Sequence, residues 1–176
     1  MKITEGKTLQ NVAEELYAKY NDLKFELSRK HDEIKTSKKN SVFNSVAKKY
    51  TAALETQLLS IENDLFDIKY RDTILFYGSA RGYRYSLYID GLLYDEVKSK
   101  ELVVIKLSEG FHSFKLETDQ INPFDSSVIN TFTFETRQII INGNEVQAYA
   151  MVCDGRHLRQ LPKSAFEKVT KQTFNI

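Results

Sequence analysis

Six of the seven glycines in this 176-residue chain lie at or beyond Gly78, and positions 7–70 hold neither glycine nor proline. Those two residue types punctuate turns and interrupt helices, so their absence over a long stretch permits unbroken helix. Beyond position 70 they return at short intervals, as sheet hairpins require. The sequence therefore predicts two architectures in series: a helical arm over 1–70 and a β-rich body over 71–176.

Within the arm, apolar residues recur in steps of four and three. Leu9, Leu16 and Leu23 mark one seam position, and Ala13, Tyr20, Leu27 and Ile34 mark the other, with Lys30 the one interruption. A heptad seam of this kind must be buried against another helix. Thr8 is placed to cap the first turn. The pattern stops at Lys35-Thr36-Ser37-Lys38-Lys39-Asn40-Ser41, seven polar residues in a row. A second stripe runs Ala47, Tyr50, Leu54, Leu58, Ile61, Leu65, Ile68, with a phase slip at Tyr50-Leu54-Leu58. Helices over 8–35 and 41–69 follow, with Asn40 or Ser41 capping the second. Each would be roughly 40 Å long. Folding back as an antiparallel, coiled-coil-like hairpin is the main expectation. One long interrupted helix pairing in trans is the alternative.

The body alternates in short runs. Strands are expected over Thr73–Tyr77, Tyr83–Ile89, Leu92–Val97, Leu102–Leu107, Phe111–Thr118, Val128–Glu135, Arg137–Ile141 and Glu145–Cys153. Asp90-Gly91, Ser108-Glu109-Gly110 and Asn142-Gly143 read as hairpin turns, and Asp154-Gly155 as one further turn. Ser164–Lys171 behind Pro162 reads as a closing helix with Ala165, Phe166 and Val169 inward. The expected fold class is α+β: a helical hairpin followed by an antiparallel β-sandwich with a short C-terminal helix.

Tyr88-Ile89-Asp90-Gly91, followed by Leu107-Ser108-Glu109-Gly110-Phe111-His112-Ser113-Phe114, resembles the PEGA-type β-sandwich repeat. In that family a strand ends in an Asp-Gly hairpin, and a later L-x-x-G-x-H turn opens the next strand. The resemblance spans residues 83–118 and lacks the proline expected before the glycine. It implies a non-catalytic surface module and brings no active site with it.

Twenty-five basic residues face 24 acidic ones, a balance that disfavours a phosphate backbone as the main partner. One cysteine, Cys153, excludes an internal disulfide and suits a reducing cytoplasm. No apolar stretch approaches the ~20 residues of a membrane-spanning helix. Cys153 and His157 lie four apart, but a nucleophile needs a base and an oxyanion hole, and zinc needs further ligands. No cofactor and no metal are expected. The candidate partner-binding residues are Arg29, Lys35, Lys38, Lys39, Lys48 and Lys49 at the tip of the arm, with Arg84 and Tyr88 on the outward face of their strand. The expected role is a cytoplasmic, non-enzymatic protein–protein interaction module that self-associates through its arm. Binding nucleic acid through the basic tip is the second reading, and a phage- or mobile-element-type inhibitor fits either mode.

Overall fold

A computed structural model describes residues 8–36, 41–135, 138–142 and 146–174. They divide into a helical unit ending at Lys69 and a β unit beginning at Tyr70. No helix among them is long and apolar enough to cross a membrane.

The helical unit consists of α1 (Leu9–Thr36) and α2 (Ser41–Lys69). Thr8 caps α1 as expected: its hydroxyl accepts the Asn11 N–H at 3.2 Å. Asn40 lies outside the described residues. Two bonds between the helices fix their relative direction. The Tyr20 hydroxyl donates to Glu62 at 3.0 Å, and the Tyr50 hydroxyl donates to Glu26 at 2.7 Å. A rising number on one helix matches a falling number on the other, so the two run antiparallel within one chain.

The phase slip expected at Tyr50 is not there. Tyr50 is 43% exposed, while Thr51 is buried at 7%. The covered stripe of α2 is Ala47, Thr51, Leu54, Leu58, Ile61 and Leu65, an unbroken four-three repeat. Apolarity pointed to Tyr50, whereas helix geometry selects Thr51. Its hydroxyl is satisfied by the Lys48 carbonyl at 3.0 Å, which lets a polar residue occupy the seam. Tyr50 is exposed instead, with the Lys30 ammonium 6.0 Å from its ring centroid and its hydroxyl on Glu26.

The β unit holds ten strands among the described residues: β1 (Thr73–Gly78), β2 (Tyr83–Ile89), β3 (Leu92–Lys98), β4 (Leu102–Lys106), β5 (Gly110–His112), β6 (Phe114–Ile121), β7 (Val128–Glu135), β8 (Ile139–Ile141), β9 (Tyr149–Cys153) and β10 (Leu158–Gln160). They form sheets in the orders β10-β9-β1-β4, β3-β2-β6-β7 and β5-β8. The Asp90-Gly91 hairpin forms as expected, both residues at positive φ (52° and 80°). The hairpin expected at Ser108-Glu109-Gly110 does not form. β4 pairs with β1, β5 with β8, and β6 with β2 and β7, so Ser108-Glu109-Gly110 joins strands of different sheets. The turn expected at Asn142-Gly143 lies partly outside the described residues, which end at Asn142 and resume at Val146.

One ladder departs from the expected antiparallel sheet: β9 runs parallel to β1, with Ile74 opposite Tyr149 and Gly78 opposite Cys153. The physical reason lies in burial. β1 is covered on both faces along its whole length, and so is nearly all of β9. Continuous apolar runs such as Ile74-Leu75-Phe76-Tyr77 and Ala150-Met151-Val152-Cys153 suit doubly covered central strands rather than half-exposed hairpins. One face of each contributes to a core of Ile74, Phe76, Tyr85, Leu87, Val97, Ile105, Phe114, Leu116, Ile139, Ile141, Met151 and Cys153, drawn from all three sheets. On β9 the closing helix α3 (Lys163–Thr170) packs, with Phe166 fully buried. Glu167 of α3 accepts both the Lys163 ammonium (2.9 Å) and the Phe174 N–H (2.7 Å), which ties down the chain beyond the helix.

Candidate functional site

Three basic residues of the arm are answered within α1. Arg29 reaches Glu33 at 3.8 Å and Lys35 reaches Asp32 at 3.5 Å. Lys30 reaches Glu33 at 2.7 Å, and its ammonium holds that carboxyl below the usual range. Lys48 and Lys49 on α2 are exposed, with no ion pair among the described residues. Lys38 and Lys39 lie outside the described residues. Only two of the six tip cations are thus seen to be free.

Arg84 and Tyr88 share the outward face of β2, as strand alternation requires, while Tyr85 and Leu87 enter the core. Both are built into a ladder of polar pairs. The Arg84 guanidinium donates to Asp119 at 2.8 Å, and the other oxygen of Asp119 accepts the Thr131 hydroxyl at 2.7 Å. Partial burial acts to raise the Asp119 carboxyl, but those two donors outweigh it and hold the group below its ordinary value. The Tyr88 hydroxyl donates to Glu117 at 3.0 Å, and Lys115 bridges Glu117 at 2.8 Å while sitting 5.2 Å over the Tyr88 ring. With its charges paired in this way, the face has no surplus of cations for a phosphate chain. It belongs to the β unit and the tip residues to the helical unit.

The possible reactive groups are occupied structurally. Cys153 is fully buried, and burial pushes its thiol up to about 11 despite the Gly155 N–H that points at it. His157 is exposed and pairs with Asp154 at 3.3 Å. His112 donates from Nδ1 to Asp90 at 2.8 Å, and its Nε2 faces the Ser108 carbonyl oxygen at 2.9 Å. Two acceptors at two ring nitrogens require the doubly protonated ring. The bond to Asp90, then that to Ser108, raises the His112 pKa accordingly. Asp90 also accepts the Ser113 N–H at 2.8 Å. Ser113 is where the chain leaves β5 and enters β6, so this carboxylate and imidazole secure a change of sheet. Among the described residues no group of three or more metal-ligating side chains gathers.

The concave site of the β unit lies elsewhere and was not foreseen from sequence. A cavity of about 790 Å³ is lined by Thr133, Phe134 and Glu135 of β7, Tyr149 and Met151 of β9, Leu158 and Gln160 of β10, with Gln138, Ile139 and Gln147. A second space of about 510 Å³ shares Phe134 and Leu158 with it and extends to Asp154, Arg156, His157 and Arg159 at the β9–β10 turn. β7 and β10 are each the last strand of their sheet. The slot is therefore the open side of the core, between two sheet edges. Sequence could not indicate it, because β10 was not anticipated and the parallel β1–β9 pairing is what leaves β10 outermost. The signal that was present is the uncharged run Val128–Phe134, whose Thr and Phe alternation marks a strand without marking it as an edge.

No protein-family model, no curated protein and no solved structure matches this chain.

Proposed function

We propose that this protein is a non-catalytic protein–protein interaction module. In this reading the β unit is a sandwich around its shared core and presents the slot between β7 and β10 to a partner, while the helical unit is a coiled-coil-like hairpin. The observation that carries it is a slot of about 790 Å³, lined by Phe134, Met151 and Leu158 together with polar side chains and lying against a sheet edge. Such an edge offers unpaired backbone donors and acceptors beside pockets for side chains. The Asp90–His112 contact supports the PEGA-type resemblance, since it joins one residue of the Asp-Gly hairpin to one of the later turn motif. Outward aromatic residues on α1, Phe25 at 73% exposed and Tyr17, support self-association through the arm. Pairing of Arg29 and Lys35 within α1 weighs against the nucleic-acid alternative.

The test is site-specific photo-crosslinking in cells that make the protein. A benzophenone side chain at Gln147, in the slot, is expected to capture a small set of discrete proteins, and one at Lys168 on α3 is not. Equal capture at both positions, or none at Gln147, would remove the slot from the account. Light scattering on the pure protein checks self-association: a concentration-dependent mass that Phe25→Glu abolishes is expected, and a monomer at every concentration refutes it.

A further inference from the structure

The shape of the slot says what kind of partner fits it. Thr133 and Glu135 stand opposite Glu117 and Lys115 on the outward face, whereas Phe134 stands opposite Leu116 in the core. A space touching three consecutive residues, whose side chains leave on opposite faces, lies against the strand's edge and not against either face. The two edges of this sheet also differ in how they are guarded. On β3 the register shift leaves Tyr94 as an extra residue, and Asp95, Glu96 and Lys98 add charge. On β7 the shift falls at Ile129, and the run Asn130-Thr131-Phe132-Thr133-Phe134 beyond it carries no charge and no proline. Bulges and charges are the usual protection against strand addition, and among the described residues the 130–134 stretch of β7 has neither.

The slot also has polarity. The Thr118 hydroxyl donates to the Gly155 carbonyl at 2.9 Å, and Thr118 is the register partner of Phe132. The β9–β10 turn therefore lies towards the start of β7, and Glu135 lies at the other end of the slot. That turn carries Arg156 and His157, and Arg159 follows on β10. Asp154 is engaged with His157 (3.3 Å) and with Arg159 (3.9 Å), whereas the Arg156 guanidinium has no ion pair among the described residues. Phe134, Met151 and Leu158 supply apolar side chains to its lining.

Resting on the interaction-module reading, we infer that the slot takes an extended peptide segment of a partner protein. The segment adds as a strand to the free edge of β7, sets an apolar side chain on Phe134, Met151 and Leu158, and places a carboxylate at Arg156. Main-chain bonds supply affinity in such a mode, and the alternate side chains supply selectivity.

The experiment selects 12-residue peptides from a displayed random library against the full chain, then measures the winners as synthetic labelled peptides. Enriched sequences are expected to alternate apolar residues and to carry Asp or Glu on one side. Arg156→Glu should weaken them at least about tenfold, and Arg156→Lys should restore binding to within about threefold. Gln147→Trp, an exposed position that narrows the slot, should also weaken them at least about tenfold, and bound peptide should slow amide exchange across Thr131–Glu135. Winners without an acid, or indifferent to Arg156→Glu but sensitive to Gln147→Trp, overturn the acidic occupant and leave the slot as an interaction site. Winners indifferent to both variants, or no winners above background, overturn the slot together with the reading it rests on. A dimer in solution that Gln147→Trp dissolves would assign the slot to a second copy of the chain and overturn the peptide proposal.

Discussion

Placing a methyl group on Gly78 is the sharpest test of the packing described for the β unit. Gly78 ends β1, and a Cβ built there would meet Tyr85 at 2.2 Å from Cε2, 2.6 Å from Cδ2 and 2.8 Å from Cζ. Carbon atoms in contact normally sit about 3.5–4.0 Å apart, so the overlap exceeds one ångström at the nearest atom. Neither side can give way cheaply. The Gly78 carbonyl accepts the Lys100 N–H at 2.6 Å, and Gly78 is in register with Cys153 of β9. The Tyr85 ring is fully buried, stands edge-on to Phe76 at 5.6 Å, and accepts the Ala80 N–H on its hydroxyl at 3.2 Å. Burial, more than any other cause, pushes that phenol far above its ordinary range. Gly78→Ala is therefore expected to cost about 3 kcal/mol, at the upper end for overpacking. Tyr85→Val removes the ring and should cost about 3–4 kcal/mol as a large-to-small change. In the double variant the added methyl enters cleared space, and a residue outside the left-handed region gains from losing glycine's freedom in the unfolded chain, by about 0.4–1 kcal/mol. The effect of Gly78→Ala should thus change sign between backgrounds, giving a coupling of about 3.5–4 kcal/mol where distant sites show almost none. Urea unfolding followed by near-ultraviolet circular dichroism of the tyrosines reads the cost of Gly78→Ala alone as a midpoint shift of roughly 1.5 M, at a slope of about 2 kcal/mol/M. Equal cost of Gly78→Ala in both backgrounds would refute the argument.

Three further outcomes are expected. His112 should titrate above the ordinary histidine value by nuclear magnetic resonance, and Asp90→Asn should bring it down. Because its folded pKa is raised, the stability it contributes is complete below the ordinary histidine pKa and lost as pH rises through the raised one. Asp90, whose pKa is lowered first by His112, contributes stability that is lost as pH falls through its depressed value, so the contact is strongest between the two. A pH-independent stability for the wild type and Asp90→Asn alike would contradict the doubly protonated ring. Cys153, with a thiol pushed up to about 11, should have a thiolate fraction on the order of 10⁻⁴ at pH 7. Iodoacetamide should modify it only under unfolding conditions, and prompt labelling of the folded chain would show the burial to be wrong. On α2, Thr51→Asp should lower stability by about 2 kcal/mol or more, through an unpaired charge in the seam, while Tyr50→Asp should cost less than about 1 kcal/mol. The reverse order, measured by thermal melts of helicity, would restore the stripe read through Tyr50.

What the chain states by itself is whatever depends on residues near one another in sequence. The glycine-free stretch and its four-three spacing specify two helices, Thr8 specifies where the first begins, and Asp90-Gly91 specifies a hairpin because both residues must take positive φ. Alternation through Tyr83–Ile89 specifies which side chains of β2 enter the core, and hence that Arg84 and Tyr88 do not. Tertiary structure decided everything that depends on which strand lies beside which. Periodicity is the same for a strand paired with its neighbour and one paired across the fold, so the parallel β1–β9 ladder, the break at Ser113 and the outermost position of β10 left only their faint mark, the doubly buried runs at Ile74 and Ala150. Thr51 replaced Tyr50 in the seam because helix geometry ranks above apolarity once a hydroxyl is satisfied locally. The slot is a product of that long-range pairing: a sheet edge exists only where no further strand arrives, and residues on β7, β9 and β10 meet there from positions far apart in the chain.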